Sequence, residues 1–412
     1  MAGGEGFPSR GFWLYWQAGA VSGFGSYITL LALQTLVVLT LHGSAVQVGW
    51  LNAARWLPYL VAGVAVGALV DRRRRRPVMV ATDLAQAVLL VAIPVLWWLG
   101  SLSLPVLLAV VIVFGAAAVV NDAAAMSFLP RLVAPRYLQR AHARIDGTDA
   151  AAMTAGPALG GLLVSALGAP LAVLADAATY LYSAVALSRI DVTEPPPAAG
   201  ATARSLVPEI REGARWVYRG SGLRALAIAT HGWFAGNAVV SVVLAPYALS
   251  VLGLTPFQFG IIGAVGGIGA LAGAAVTTWV GLRLGTGRTI IACHIITTVG
   301  VLVMIPAGLH THGWASAAIL AAGQWLYGLA MGMSNSHESS YRQLVTPDEL
   351  QARTIITMRS LNRAVIVVAA PLAGVLADDW GIRPALLLAA GIFALVAAGL
   401  GLTSFRAVRA PA

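Results

Sequence analysis

Apolar segments of about twenty residues or more recur along the whole of this 412-residue chain, and they restrict its fold more than any other feature. Residues of the hydrophobic class make up 58% of the sequence, and charged residues only 10%. A soluble protein carries about a quarter charged residues, and a disordered chain is far less hydrophobic. The segments are continuous, without the residue-by-residue alternation of a lipid-facing barrel strand. The sequence therefore predicts an all-α membrane protein.

Polar and Gly/Pro-rich breaks divide the chain into twelve predicted transmembrane helices, six on each side of a polar stretch. The first six are residues 12–41, 47–70, 77–99, 104–128, 145–167 and 170–189. The second six are residues 224–252, 257–282, 288–309, 314–338, 356–377 and 384–405. The first span is too long for the apolar core of a signal peptide, so we expect it to remain uncleaved.

Arginine supplies all 26 basic residues, and its distribution orients the predicted helices. With the N-terminus in the cytoplasm, every arginine except Arg55 and Arg383 falls in a cytoplasmic connection or terminus, or near the cytoplasmic end of a predicted span. A shift of one span would destroy this asymmetry, so the positive-inside rule predicts that both termini are cytoplasmic. The net charge of +10 is then explained by topology, and we expect no nucleic-acid partner. The single cysteine, Cys293, excludes an intrachain disulfide, and we expect no metal site.

An internal repeat relates the two groups of helices. Residues 132–139 (LVAPRYLQ) match residues 344–351 (LVTPDELQ) at five of eight positions, and residues 156–160 (GPALG) correspond to residues 370–374 (APLAG). Since the offset spans six helices, an even number, the copies share one orientation in the membrane. Two pseudo-symmetric six-helix halves are typical of transporters, with the substrate site near the bilayer midplane.

The predicted domains are therefore an N-terminal half, residues 1–190, a cytoplasmic linker, residues 191–223, and a C-terminal half, residues 224–412. Within the linker, residues 205–218 have arginines on one helical face and apolar residues on the other. This pattern predicts a short amphipathic helix, which we place on the inner membrane surface. A solvated linker helix with no role beyond topology is the alternative.

The connection after the second predicted span, residues 67–77 (GALVDRRRRRP), resembles the G-x-L-x-D-R-x-G-R-R loop of the major facilitator superfamily. One departure is that Arg74 occupies the position of the family's second glycine. Residues 156–161 (GPALGG) are similar to the G-P-x-x-G-G core of the family's fifth-span antiporter motif. With residues 129–135 and 212–218, these motifs look like the enterobactin and macrolide exporter branch. The resemblance covers nearly the whole chain and implies the major facilitator fold with twelve transmembrane helices.

The resemblance also implies roles for two groups of residues. The predicted conformational clamp consists of Gly67, Asp71, Arg72, Arg75 and Arg76. In the family, the loop aspartate is thought to pair with arginine and with the positive N-terminal end of the eleventh span. For this chain we expect its arginine partners among Arg131, Arg359 and Arg363. The alternative for the arginine run is topogenesis and attraction to anionic lipids.

The antiporter-like motif consists of Gly156, Pro157, Gly160 and Gly161. Family members that carry it are typically proton-coupled exporters. The alternative is that the small residues only let two helices approach closely in lipid.

Ionisable residues within a membrane span are costly, so each is a candidate for function. Arg55 lies deep in the second span and stays protonated, so it can bind an anionic group or hold a carboxylate, or else its side chain reaches out to the membrane surface. Asp122, on the fourth span, is our first candidate for proton coupling, with a helix-end charge as the alternative.

Three further carboxylates lie in or near the predicted spans. Asp83 and Asp176 fall on the third and sixth spans, which are usually peripheral in the family. We therefore favour a structural pair or an interfacial position for both over proton transport. Glu338, near the inner end of the tenth span, has Arg342 four residues later, a spacing that favours a surface pair.

Four uncharged or weakly basic polar residues complete the candidates for substrate or proton binding, namely Gln34, His231, Asn237 and Gln324. They lie on helices that commonly face the cavity in the family. His231 can titrate near neutral pH. The alternative for all four is hydrogen bonding between helices.

The chain has no lysine, so it contains no nucleotide-binding P-loop, and it shows no coherent enzyme motif. We therefore expect no enzyme and no cofactor, but a secondary active efflux transporter of the bacterial inner membrane. It would export small amphipathic molecules such as drugs, macrolides, siderophores or natural products by alternating access, driven by proton antiport. Its partners would be substrate, protons and membrane lipids, and we expect a monomer. The alternatives are an importer or lysophospholipid flippase of the same fold, and a transport-dead membrane sensor or scaffold.

Overall fold

The computed structural model describes residues 7, 9–71, 73–192, 194, 206–220 and 222–408, and the regular structure in them is helical throughout. The helices are α1 (Arg10–Thr35), α2 (Ala45–Asp71), α3 (Arg75–Trp98), α4 (Leu104–Leu132), α5 (Leu138–Leu167), α6 (Ala169–Ser188), α7 (Leu206–Arg215), α8 (Arg224–Pro246), α9 (Pro256–Leu284), α10 (Thr286–Met304), α11 (Trp314–Val345), α12 (Asp348–Trp380) and α13 (Ile382–Leu402). The all-α prediction is thus confirmed for these residues.

Ten of the described helices are long and apolar enough to cross a membrane. They are α1, α3 to α6, α8 to α10, α12 and α13. Helices α2 and α11 have 27 and 32 residues but are not among the ten. The prediction of a multi-pass membrane protein is confirmed, whereas twelve spans and cytoplasmic termini stay predictions.

Several helices extend beyond the predicted spans. Helix α5 begins at Leu138 rather than at residue 145, and α11 continues to Val345 rather than to residue 338. Helix α12 likewise extends the predicted span at both ends. Hydropathy detects the part of a helix that is apolar enough for lipid, but backbone hydrogen bonding continues through the polar turns beyond it.

Glycines make two corresponding turns in the internal repeat. Gly168 separates α5 from α6 with φ of +83°, and Gly381 separates α12 from α13 with φ of +96°. Both values lie in the region that a side chain disfavours, so a single residue can end one helix and start the next. Proline follows within three residues in both copies, at Pro170 and Pro384.

The chain forms two compact units. The first comprises residues 1–36 and 54–204, in which α1 packs against α5 and α6, and α3 packs against α4 and α6. One hydrophobic core of this unit includes Val66, Phe128 and Leu187. Side chains of α1, α3, α4 and α6 are thereby fixed around the interior of the unit.

The second unit comprises residues 37–53 and 205–412. Within it, α9 and α10 pack against α11, and α8 packs against α12 and α13. Residues 37–53, which the sequence analysis placed in the N-terminal half, group with this unit. Here the carboxylate of Asp378 accepts hydrogen bonds from the first backbone N–H groups of α2, those of Ala45 and Val46, at 3.0 and 3.2 Å. The predicted domain boundaries stay a prediction.

The linker helix α7 packs against other helices of the second unit. It continues into a π-helical turn at Trp216–Gly220, where Val217 is fully buried with Ala227 of α8 and Met358 of α12. Glu212 forms an ion pair with Arg353 of α12 at 2.6 Å. A helix is therefore present at the predicted place, and its placement on the inner membrane surface stays a prediction.

Candidate functional site

A cavity of about 340 Å³ lies inside the first unit, and helices α1 to α6 all contribute to its wall. Its charged lining residues are Arg55, Asp83, Asp122, Asp149 and Asp176. Four of these are residues that the sequence analysis selected separately from four different helices. The structure therefore brings the predicted intramembrane charges of this unit together in one place.

Asp83 is held by hydrogen bonds to two neighbouring helices. Its carboxylate accepts one from Asn121 of α4 at 2.6 Å and one from Ser183 of α6 at 2.5 Å. Only 3% of Asp83 is exposed. The residue is thus held by side-chain hydrogen bonds in the interior of the unit, and its role stays a prediction.

Asp176 is fully buried in α6. Its Oδ1 accepts a hydrogen bond at 2.8 Å from Thr179, which lies three residues later on the same face of the helix. Arg55 and Asp176 line the same cavity. Asp176 therefore also lies in the interior of the unit rather than at an interface.

Asp122 and Arg55 occupy the more open part of the cavity. Asp122 is exposed, and its Oδ2 accepts a hydrogen bond from the Tyr59 hydroxyl at 2.7 Å. Arg55 is half-buried, with its guanidinium carbon 5.7 Å from the centre of the Trp56 ring. Both side chains line the cavity, so Arg55 faces the interior of the unit rather than the membrane surface.

Sequence reasoning missed two lining residues. Asp149 lies within the predicted span 145–167, so the cost of placing a charge in a membrane could have identified it. Gln86 lies three residues after Asp83 on the same face of α3, and that helical spacing was the available signal.

Glu194 organises the described part of the predicted clamp loop. Its carboxylate accepts hydrogen bonds from the backbone N–H groups of Arg75 and Arg76, at 2.6 and 2.9 Å. The Arg76 guanidinium donates a hydrogen bond to the Ile190 carbonyl, and Arg131 lies 3.7 Å from the Glu194 carboxylate. Sequence reasoning missed Glu194, an acidic residue whose carboxylate lies close to Arg75, Arg76 and Arg131.

The central residue of the predicted clamp is not described at side-chain level. Arg72 and the Asp71 side chain lie outside the described residues, and Gly67 is described only as part of the backbone of α2. The role of Asp71 and its pairing with Arg359 or Arg363 therefore stay predictions.

The antiporter-like motif lies where α5 packs against α1. A Cβ atom on Gly160 would lie 3.1 Å from the Cα of Ile28, and one on Gly156 would lie 2.5 Å from the Cβ of Tyr27. Gly161 is buried in the same helix, and Pro157 lies within its helical turns. This geometry supports the helix-packing interpretation of the motif, because only glycine permits such an approach of the two helices.

His231 links three elements of the second unit. Its Nε2 lies 2.5 Å from the Tyr218 hydroxyl beyond α7, and its Nδ1 lies 2.6 Å from Oδ1 of Asn362 in α12. Burial raises the pKa of Tyr218 above its ordinary value. Asn237, six residues after His231, accepts a hydrogen bond from Tyr327 at 2.7 Å.

The remaining predicted polar residues make local contacts. Glu338 accepts hydrogen bonds from Ser334 and, at 3.4 Å, from Thr230, and its pairing with Arg342 stays a prediction. The Gln324 amide lies 3.7 Å from the Met304 sulfur. Gln34 is half-buried in α1. These residues are thus dispersed, in contrast to the charged residues of the first unit.

Comparison with known proteins gives one matching family model, described as the Major Facilitator Superfamily, over residues 16–365. An uncharacterised MFS-type transporter, y4rN of Sinorhizobium fredii, is 29% identical over 373 residues, which is 88% of each chain.

Two relatives with named activities match over shorter regions. The multidrug efflux pump Tap of Mycolicibacterium fortuitum is 31% identical over 51% of this chain and 53% of the pump. Macrolide efflux protein A of Streptococcus pyogenes is 27% identical over 53% of each chain. This chain therefore aligns with about half of each of these two proteins.

Among solved structures, the crystal structure of the nucleoside transporter NupG superposes with a TM-score of 0.72. It covers 95% of this chain and 98% of NupG at 13% sequence identity. At that identity the likeness shows a shared fold and nothing about substrate.

Proposed function

Because this chain belongs to the major facilitator superfamily, we propose that it is a secondary active exporter of small amphipathic molecules, driven by proton antiport. The observation that carries the proposal is the cavity of the first unit, where one arginine and four aspartates meet among aromatic and aliphatic side chains. Partial similarity to proteins named as multidrug and macrolide efflux pumps supports export as the direction. The bacterial sources of these relatives support a location in the bacterial inner membrane.

Some residues of the cavity are suited to binding substrate, and others are suited to proton transfer. Arg55 keeps its proton at all relevant pH values, so it can orient carboxylates or substrate but cannot carry the transported proton. A carboxylate that is reached by water can bind a proton and release it when the cavity environment changes. Asp122 meets this requirement because it is exposed in the cavity, where its carboxylate accepts a hydrogen bond from the neutral hydroxyl of Tyr59.

In the proposed cycle, substrate and protons use the same cavity in turn, and alternating access exposes it to one side of the membrane at a time. The groups that face Asp122 across the cavity are Arg55, Asp83, Asp149 and Asp176, with the hydroxyls of Tyr15, Tyr59 and Tyr180. Proton binding at one carboxylate reduces the negative charge felt by the others, which couples the protonation of the cavity to binding of its substrate. We expect the protein to act as a monomer and without a cofactor.

The test uses inside-out membrane vesicles that contain the protein and are energised to an acidic interior. A pH-sensitive dye reports proton release when drugs, macrolides or siderophores are added. We expect substrate-dependent release with the wild type and its loss in Asp122→Asn. Asp191→Asn provides the matched control, because Asp191 is an exposed aspartate that does not line the cavity.

The outcomes separate the parts of the proposal. Release that persists in Asp122→Asn would keep the exporter and exclude Asp122 as the coupling residue. Asp83→Asn, Asp149→Asn and Asp176→Asn would then be compared in the same assay. Absence of release with every compound, in vesicles that contain folded protein, would contradict proton-coupled export and favour an importer or a lysophospholipid flippase of the same fold.

A further inference from the structure

Three buried side chains that line the cavity have oxygen atoms without a hydrogen-bond partner among the described residues. They are Oγ1 of Thr29, a residue that is 4% exposed, Oε1 of Gln86, which is 2% exposed, and Oδ2 of Asp176, which is fully buried; of these, the Gln86 and Asp176 oxygens are acceptors only. Thr29 lies beside Asp176, but its hydroxyl does not reach hydrogen-bonding geometry with Oδ2. Buried polar atoms are nearly always paired in native proteins, so two such acceptors in one cavity point to a donor from a ligand.

The charge of the cavity indicates which kind of donor fits. Four aspartates line it with a single arginine, Arg55. An anionic ligand would therefore meet one positive charge and several carboxylates. A cation is favoured there by the excess of carboxylates.

The two acceptors also select among cations. Asp83, the neighbour of Gln86 in α3, already accepts hydrogen bonds at both carboxylate oxygens, from Asn121 and Ser183. The Gln86 amide has no such partner among the described residues, and an amide oxygen accepts hydrogen bonds but offers no charge. A protonated primary amine brings three N–H donors, whereas a quaternary ammonium brings none. Of these two, only the primary amine can donate hydrogen bonds to Gln86 and Asp176.

The rest of the wall fits an apolar body. Trp16, Leu30, Leu33, Val111 and Phe114 line the same cavity, whose volume of about 340 Å³ lies within the range of small-molecule sites. We propose that this cavity binds amphipathic primary amines, with Gln86 and Asp176 accepting hydrogen bonds from the protonated amino group. This assignment of a substrate class rests on the proposed transport function.

The test compares four ligands that share a naphthyl body and differ in one group. They are naphthylmethylamine, its N,N,N-trimethylammonium analogue, naphthylmethanol and naphthylacetate. Binding to the full-length protein in lipid nanodiscs is measured by isothermal titration calorimetry without a proton gradient. We expect the primary amine to bind at least about tenfold more tightly than each of the other three, a difference equivalent to about 1.4 kcal/mol.

Substitutions of Gln86 and Asp176 test whether these two residues cause the preference for the primary amine. In Gln86→Leu and in Asp176→Asn, the ratio of affinities for the primary amine and the trimethylammonium ligand should fall about tenfold, whereas Asp191→Asn should keep the wild-type ratio. Gln86→Leu removes an amide without described partners, so its fold should survive even if Asp176→Asn does not yield monodisperse protein. A retained preference in Gln86→Leu would overturn the assignment of that residue as an acceptor.

Equal or tighter binding of the trimethylammonium ligand, a preference for naphthylacetate, or no binding of the amine would each overturn the proposal. Failure of the transport function is distinguishable, because binding is measured without transport. Amine binding without proton release in vesicles would contradict proton-coupled export and leave the amine site standing. Export of neutral or anionic compounds without amine binding would keep export and overturn the amine site.

Discussion

At the first turn of α3, one acidic side chain satisfies two backbone groups that the helix itself leaves unpaired. The carboxylate of Glu194 accepts hydrogen bonds from the N–H groups of Arg75 and Arg76, with Arg131 close by. The first N–H groups of a helix have no partner within it, and the positive end of the helix dipole favours an anion there. Glu194 therefore stabilises the arginine-rich loop within the first unit, independently of the predicted role of Asp71.

We expect Glu194→Ala to lower the free energy of unfolding by about 1 kcal/mol, the typical cost of losing a helix N-terminal cap. Equilibrium unfolding in mixed SDS micelles measures this change. Asp191→Ala is the matched control, since Asp191 is an exposed acidic residue three positions earlier. Equal effects of the two substitutions would show that the cap does not stabilise the loop.

Asp83 and Asp176 show what the sequence could and could not say about single residues. The free-energy cost of a charged side chain in a membrane span identified both as candidates, because charge and hydropathy are visible in the sequence. Their place inside the unit is not visible in the sequence, because it depends on how the helices pack. In the structure, both line an interior cavity with Arg55 and Asp122. Gln86 is uncharged, so the cost of a charge in a membrane does not identify it, and its spacing from Asp83 is the one signal in the sequence.

At the scale of elements, small residues determine how closely helices approach. Gly156 and Gly160 lie against Tyr27 and Ile28, so that α5 packs directly on the backbone of α1. Gly147 lies on the same helix, but a Cβ atom there would meet no described heavy atom within 4 Å. Gly160 and Gly147 are therefore a close-packed and an open glycine position in the same helix.

We expect Gly160→Ala to destabilise the protein by about 1–3 kcal/mol, because its methyl group would press on the Ile28 backbone, which cannot move without shifting α1. Gly147→Ala should leave stability unchanged or raise it by up to about 1 kcal/mol, because alanine is the better helix former. The same SDS unfolding measurement compares them. A Gly160→Ala variant as stable as Gly147→Ala would contradict close packing of α1 and α5 at this position.

At the scale of the whole molecule, the arginine distribution makes a prediction about orientation. The connection between α2 and α3 contains the arginine run and is expected in the cytoplasm, whereas the connection between α3 and α4 is expected outside. Arg73 and Ser101 are exposed residues of these two connections. Cys293 is the single cysteine of the sequence, and it is buried. The substitution Cys293→Ser therefore gives a protein without cysteine.

In that background, a membrane-impermeant maleimide should label Ser101→Cys in intact cells. Arg73→Cys should be labelled only in inside-out vesicles. Labelling yield on a gel measures both, and the parent without cysteine controls for background. The opposite pattern would reverse the predicted orientation, and labelling of both positions from one side would contradict α3 as a membrane span.

The sequence by itself determined the class of this protein, because apolar length, arginine asymmetry, the internal repeat and the loop motif are all local or periodic properties of the chain. These were sufficient for an all-α membrane transporter of the major facilitator superfamily. Only the tertiary structure decided which polar residues meet. Arg55, Gln86, Asp122 and Asp176 come from four helices, α2, α3, α4 and α6, and no spacing along the chain relates them. The packing of the first unit places all four around one cavity.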